Sequence, residues 1–108
     1  MNIQDMNASA DEASALMKAL ANRHRLMILC QLHQGERSVG ELESLIGLSQ
    51  SALSQHLAKL RIDSLVSTRR DGQTIFYSLS DERVHRIIST LYDLFCPPTP
   101  TKRKGKPK

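Results

Sequence analysis

The stretch from Gly47 to Leu65, GLSQSALSQHLAKLRIDSL, constrains the fold more than any other part of this chain. At roughly 100° per residue, Leu53, Leu57 and Leu60 share one helical face, while Ser51, Gln55 and Ala58 fall opposite. Ser54 and Lys59 flank that second face, and Gln50 opens the helix behind a Ser49 cap. Solvated helix faces usually draw on Glu and Lys, which are good helix formers. This one offers short, neutral side chains instead. Such residues suit a helix pressed into a DNA major groove, where Gln reads adenine and Ser serves as donor or acceptor. Taken alone, the stretch is equally an ordinary Ser-rich surface helix. Its flanks decide.

Upstream, Ser38 with Glu41 three residues later forms a capping-box pattern, and Val39, Leu42, Leu45 and Ile46 make an apolar stripe. Two short helices joined by Gly47-Leu48-Ser49 are the helix-turn-helix pattern, the first bracing across the backbone and the second entering the groove. Downstream, Leu65–Arg70 and Gln73–Leu79 are rich in Val, Thr, Ile, Phe and Tyr and flank Asp71-Gly72, a strong hairpin signal. A hairpin after a helix-turn-helix is a wing. Arg69 and Arg70 stand just before its tip and Gln73 just after. Paired arginines on a hairpin can serve solubility alone, but here they are placed to reach phosphates or a narrow minor groove. The candidate DNA-contacting set is therefore Gln50, Ser51, Ser54, Gln55, Lys59, Arg69, Arg70 and Gln73.

The remaining segments complete one small domain. Residues 1–9 are polar and expected to be flexible, with a first helix from Ala10 to Leu20 capped by Ser9 or Asp11. Asn22 is expected to cap a second helix, Arg23 to His33, so apolar that it should be the most buried. Ser80 is expected to cap a last helix carrying Val84, Ile87, Ile88, Leu91, Leu94 and Phe95, stopped by Pro97-Pro98. The fold class is mainly α with a β-hairpin wing, a winged helix-turn-helix over residues 10–96. First and last helices this apolar in so small a domain call for a partner surface, and a homodimer through them is expected. Such a dimer sets two recognition helices one DNA turn apart, roughly 34 Å.

Charge locates the polyanion-seeking part of the chain. The formal net charge is +4, from fifteen Lys and Arg against eleven Asp and Glu. Residues 97–108 hold five of those bases and no acid, leaving ten against eleven in the body. That basic tail is expected to be disordered, and a DNA-binding reading must rest on where the body's bases lie. No run approaches the ~20 apolar residues of a membrane span. The N-terminus lacks a secretory pattern, so a cytoplasmic protein without membrane contact is expected. No nucleophile–base pair or phosphate loop is present, which argues against an enzyme, and no cofactor is expected. The two cysteines, Cys30 and Cys96, read either as inert buried thiols or as a redox or metalloid pair.

The segments ALANRHRLMILCQL, SVGELESLIGLSQSALSQHLAKLR and DSLVSTRRDGQTIFYSLS together resemble the ArsR/SmtB family of winged-helix repressors over residues 10–96. That resemblance implies a dimer that binds double-stranded operator DNA and releases it when an inducer binds. The family's arsenic and cadmium type carries a Cys-x-Cys where this chain reads Ser38-Val39-Gly40-Glu41. Its zinc type uses paired Asp and His ligands on the last helix, where Asp81, His85 and Asp93 lack a second His and the usual spacing. His24, His33 and His56 form no pair on one helical face, and a first-row metal site needs about four convergent ligands. No metal site is expected. Cys30 in LMILCQL and Cys96 in LYDLFC match the sulfur- and redox-responsive subgroup, of BigR, SqrR, YgaV and HlyU type. There a cysteine on each of these two helices is bridged by a reactive sulfur species or an oxidant. Two alternatives stay open: a metal- or metalloid-responsive repressor using both cysteines and a histidine, or a virulence-type regulator or anti-silencer with little thiol control.

Overall fold

The computed structural model describes residues 1–97. In chain order it contains α1 (Ile3–Leu20), α2 (Arg23–Gln34), β1 (Arg37–Ser38), α3 (Val39–Ile46), α4 (Gln50–Ile62), β2 (Val66–Asp71), β3 (Thr74–Leu79) and α5 (Glu82–Phe95). The helix-turn-helix is α3–α4, and the wing is the β2–β3 hairpin. The tail expected to be disordered lies, Pro97 apart, outside the described residues.

Helix α2 is the hub. It packs against α1, α3, α4, α5 and β3, and Ile28, Leu29 and Leu32 on its inner face are buried. Leu42 of α3, Leu53, Leu57 and Leu60 of α4, and Val84 and Ile88 of α5 close around them. The Leu53–Leu57–Leu60 face is therefore the buried one, and Ser51, Ser54, Gln55 and Ala58 are left outside. The expectation that α2 is buried on nearly every side needs correcting. Met27 is exposed and Leu26 and Cys30 are half-buried, because one flank of α2 faces a groove beside α5 rather than packed core.

Three local expectations are also corrected. The first helix begins at Ile3, not Ala10, because the Asn2 side chain accepts the Gln4 N–H at 2.8 Å and caps it there. Residues 3–9, expected to be flexible, are helical. The last helix is capped by Asp81, whose carboxylate accepts the Arg83 N–H at 2.9 Å. Ser80 instead donates its hydroxyl to the Ser64 carbonyl at 3.0 Å, tying the start of α5 to the turn after α4. The wing turn sits one residue later than Asp71-Gly72. Asp71 still pairs with Thr74, leaving Gly72-Gln73 as the two-residue loop. Gly72, at φ 63°, takes the first central position that a type II′ turn reserves for glycine.

The wing is a three-stranded sheet rather than a bare hairpin. The short strand β1 pairs with β3 through Arg37↔Tyr77 and Ser38↔Phe76. Ser38 also caps α3, in a complete capping box with Glu41. One residue thus anchors both the brace helix and the wing. Deleting part of the leucine face beneath the recognition helix should be costly. Leu57→Ala is expected to lower unfolding free energy by about 2–5 kcal/mol, read as a shift in the urea midpoint with an unchanged slope.

Candidate DNA interface and thiol groove

The recognition helix is held from below by its leucines and from its start by Ser49, whose hydroxyl accepts the Ala52 N–H at 3.2 Å. Gln50, Ser51, Ser54, Gln55 and Lys59 are all exposed on its outer side. Lys59 leans to Asp63 one turn on, at 3.3 Å, in a surface ion pair that leaves its charge partly answered. His56 flanks the polar face and lies beside His24 of α2, ring centres 5.8 Å apart. Burial, then the charges of Arg25 and His24, hold its pKa below the ordinary histidine value.

The two wing arginines, equivalent in the sequence, are not equivalent in space. Arg69 grips Glu36 with two parallel bonds, Nε at 2.8 Å and Nη2 at 2.9 Å, and stacks over the Phe76 ring at 4.5 Å. The bond from Arg69 holds the Glu36 carboxyl below its usual pKa, so the pair stays ionic. Arg70 has no such partner among the described residues and is exposed beside the Gly72-Gln73 turn, where Gln73 is exposed as well. Glu36 escapes sequence reading because it lies 33 residues from Arg69 and belongs to no motif. Only the pairing of β1 with β3 brings them together.

The second site is a groove of about 520 Å³ between α2 and α5, walled by Leu26, Met27, Ile88, Leu91 and Phe95. Cys30 and Cys96 both line it, and neither is bridged in this structure. Cys30 is half-buried, and burial together with the nearby charge of Cys96 pushes its pKa up. Cys96, the C-cap of α5, is exposed and donates its backbone N–H to the Tyr92 carbonyl. The arrangement is one sheltered, protonated thiol and one thiol open to solvent. Such a pair suits attack at Cys96 and resolution by Cys30.

The histidines do not pair along one helix, but they do meet across helices. His33 of α2 and His85 of α5 approach Nδ1 to Nδ1 at 2.8 Å, one ring donating to the other. This contact joins the same two helices that carry the thiols. Among the described residues, no group of three or more His, Cys, Asp or Glu is placed to hold a metal ion.

A helix-turn-helix with an exposed polar helix and a strand-braced wing defines the winged helix-turn-helix class of DNA-binding transcription regulators. Residues 22–68 match the model of the bacterial regulatory protein arsR family. Transcriptional activator HlyU of Vibrio cholerae is 54% identical over 96 residues, covering 89% of both chains. The solved structure of reduced HlyU from that organism superposes with a TM-score of 0.82 at 53% identity, covering 87% of this chain and 99% of that one. That of the transcriptional repressor BigR from Xylella fastidiosa gives 0.87 at 43% identity, over 91% and 100%. The chain belongs to the ArsR family.

The unequal arginines have a measurable consequence. Arg70→Ala should weaken DNA binding on all sequences and reduce the slope of log K against log salt by about 0.9, the amount set by one phosphate left without its cation. Arg69→Ala, whose charge Glu36 already answers, should change that slope less. Gln55→Ala should relax base preference by about 1–3 kcal/mol. Titrations of specific and scrambled duplexes over a salt series separate the three.

Proposed function

We propose that this chain is a homodimeric, thiol-switched transcriptional repressor. Its operator binding is released when Cys30 and Cys96 are bridged by a reactive sulfur species or an oxidant. The observation that carries the reading is the placement of both thiols on one groove between α2 and α5, away from the exposed face of α4. Dimerisation through α1 and α5 is supported by the large apolar side chains those helices leave exposed outside the groove, among them Ile3, Met6, Met17 and Leu94. Gln50, Ser51, Ser54, Gln55 and Lys59 would then face the major groove, with Arg70 and Gln73 reaching from the wing. The relatives fit this frame: BigR is a repressor, and HlyU is known in a reduced form. HlyU is also named an activator. The same DNA-bound dimer would have that effect wherever it displaces a silencing protein.

The chemistry balances with the residues present. The Cys96 thiolate takes the outer sulfur of a persulfide R–S–SH, giving Cys96–S–SH and releasing the thiol R–SH. Cys30 then attacks the Cys96 sulfur as its thiolate. The Cys30–Cys96 bond forms, and the terminal sulfur leaves as hydrogen sulfide, carrying the proton Cys30 gave up. The bridge locks α2 to α5, and α2 carries the whole reading head on its buried face. A tenfold loss of DNA affinity needs only about 1.4 kcal/mol of difference between the two states.

Cys96→Ser should bind operator DNA normally and no longer release it after persulfide treatment, as followed by fluorescence anisotropy. Undiminished release from that variant would overturn the two-thiol switch. The raised pKa of Cys30 makes its thiolate scarce at neutral pH. Bridge closure should therefore accelerate as pH rises through and beyond the ordinary thiol range. Quenched-flow mass spectrometry follows that step.

A further inference from the structure

The groove that holds the thiols also has a chemistry of its own. Its walls are Leu26, Met27, Ile88, Leu91 and Phe95, and no Lys or Arg is among the residues that line it. Its one formal charge of fixed sign is the acid Asp93. The neighbouring cation Arg86 lines a separate cleft with Glu82, and the His33 ring is turned to His85. About 520 Å³ of mostly apolar space with a few polar groups matches the usual size and character of a small-molecule site. An anionic sulfur carrier would leave its carboxylates without a partner here and would meet Asp93. An uncharged carrier with hydrocarbon arms would bury them against the leucines and Phe95, at roughly 25 cal/mol per Å² of apolar surface.

We infer that the groove selects the sulfur compound that oxidises its thiols: an uncharged organic polysulfide with apolar substituents, in preference to charged, hydrophilic thiol derivatives. The inference rests on the thiol switch proposed above and adds the class of molecule that throws it. Met27 and Phe95, both exposed, form the outer walls and receive the arms. The Cys96 thiolate attacks an outer sulfur of R–S–S–S–R, forming Cys96–S–S–R as the adjacent S–S bond breaks and R–S–S⁻ leaves with the electron pair. Cys30 loses its proton and attacks the Cys96 sulfur, closing the Cys30–Cys96 bond. R–S⁻ leaves and takes that proton. Two thiols are oxidised by two electrons and the trisulfide is reduced by two, with no further oxidant.

Two trisulfides with the same reacting core and different arms test this on the full chain. Dipropyl trisulfide is apolar, and glutathione trisulfide carries several carboxylates. Each rate of Cys96 adduct formation, read by quenched mass spectrometry, is divided by that compound's rate with N-acetylcysteine. The normalised rate is expected to be at least about tenfold higher for dipropyl trisulfide, the equivalent of about 1.4 kcal/mol. Met27→Lys, which sets a cation on the groove wall, should cut that ratio several-fold while the variant remains a dimer by gel filtration. A wild-type ratio near one would overturn the selectivity, yet leave the thiol switch standing if both compounds still released DNA. Failure of both compounds to modify Cys96 would sink the switch and the selectivity together, and failure of dipropyl trisulfide alone would overturn the selectivity. A ratio unmoved by Met27→Lys would place the discrimination elsewhere, and a monomeric variant would assign the groove to the subunit interface. Either result overturns the proposal.

Discussion

Everything in this structure depends on the burial of one face of α2. Ile28, Leu29 and Leu32 lie at the meeting point of the other helices and the wing. Leu42 beneath α3 and Leu53, Leu57 and Leu60 beneath α4 are buried in the same cluster as these three residues. Interiors pack at near-crystalline density, so α3 and α4 cannot shift independently of α2. The opposite flank of α2 carries Leu26, Met27 and Cys30 into the groove beside α5. The helix-turn-helix and the thiol groove thus lie against two faces of one helix. Under the proposed switch, a bridge in the groove would need no pathway of intermediates to reach α4, since the element it ties down is the one α4 is packed on.

A second joint gives the wing its orientation. The hairpin is long enough to flex as a free ribbon, and two-stranded ribbons are marginal alone. Strand β1 adds a third strand, and Ser38 makes the end of that strand the cap of α3. The Glu36–Arg69 fork and the Phe76 stack clamp the same corner. These groups are solvent-facing, so they add little to global stability. Their effect is geometric. They fix where Arg70 and Gln73 sit relative to Gln55, which is the spacing a duplex would have to match.

Much of this is legible in the residue order, for reasons tied to particular positions. The leucine spacing of α4, the Ser38–Glu41 box and the Asn22 cap are local, and each is satisfied within one turn of helix. Where residue order and structure part, neighbours that chemistry alone ranks as equal are in competition. Asn2 captures the first helix from Ser9 and Asp11. Asp81 captures the last from Ser80, whose hydroxyl is claimed by a carbonyl 16 residues away. The wing turn slides to Gly72-Gln73 because a type II′ loop places its glycine first.

By itself, the sequence determined the helices, the hairpin and the polar face of α4, because period and capping act over three or four residues. Tertiary structure alone decided which like residues became unlike. It made Arg69 a structural clamp and left Arg70 free among the described residues, and it joined His33 to His85. It brought Cys30 and Cys96 to one mostly apolar groove. Each of those outcomes pairs groups tens of residues apart, and such pairs are set by which faces must be buried together, a property of the packed whole that no local pattern encodes. The helix from Gln50 to Ile62 could be read in the chain as a reading head. That Cys30 and Cys96 share one groove on another flank of the helix beneath it could be read only in the fold.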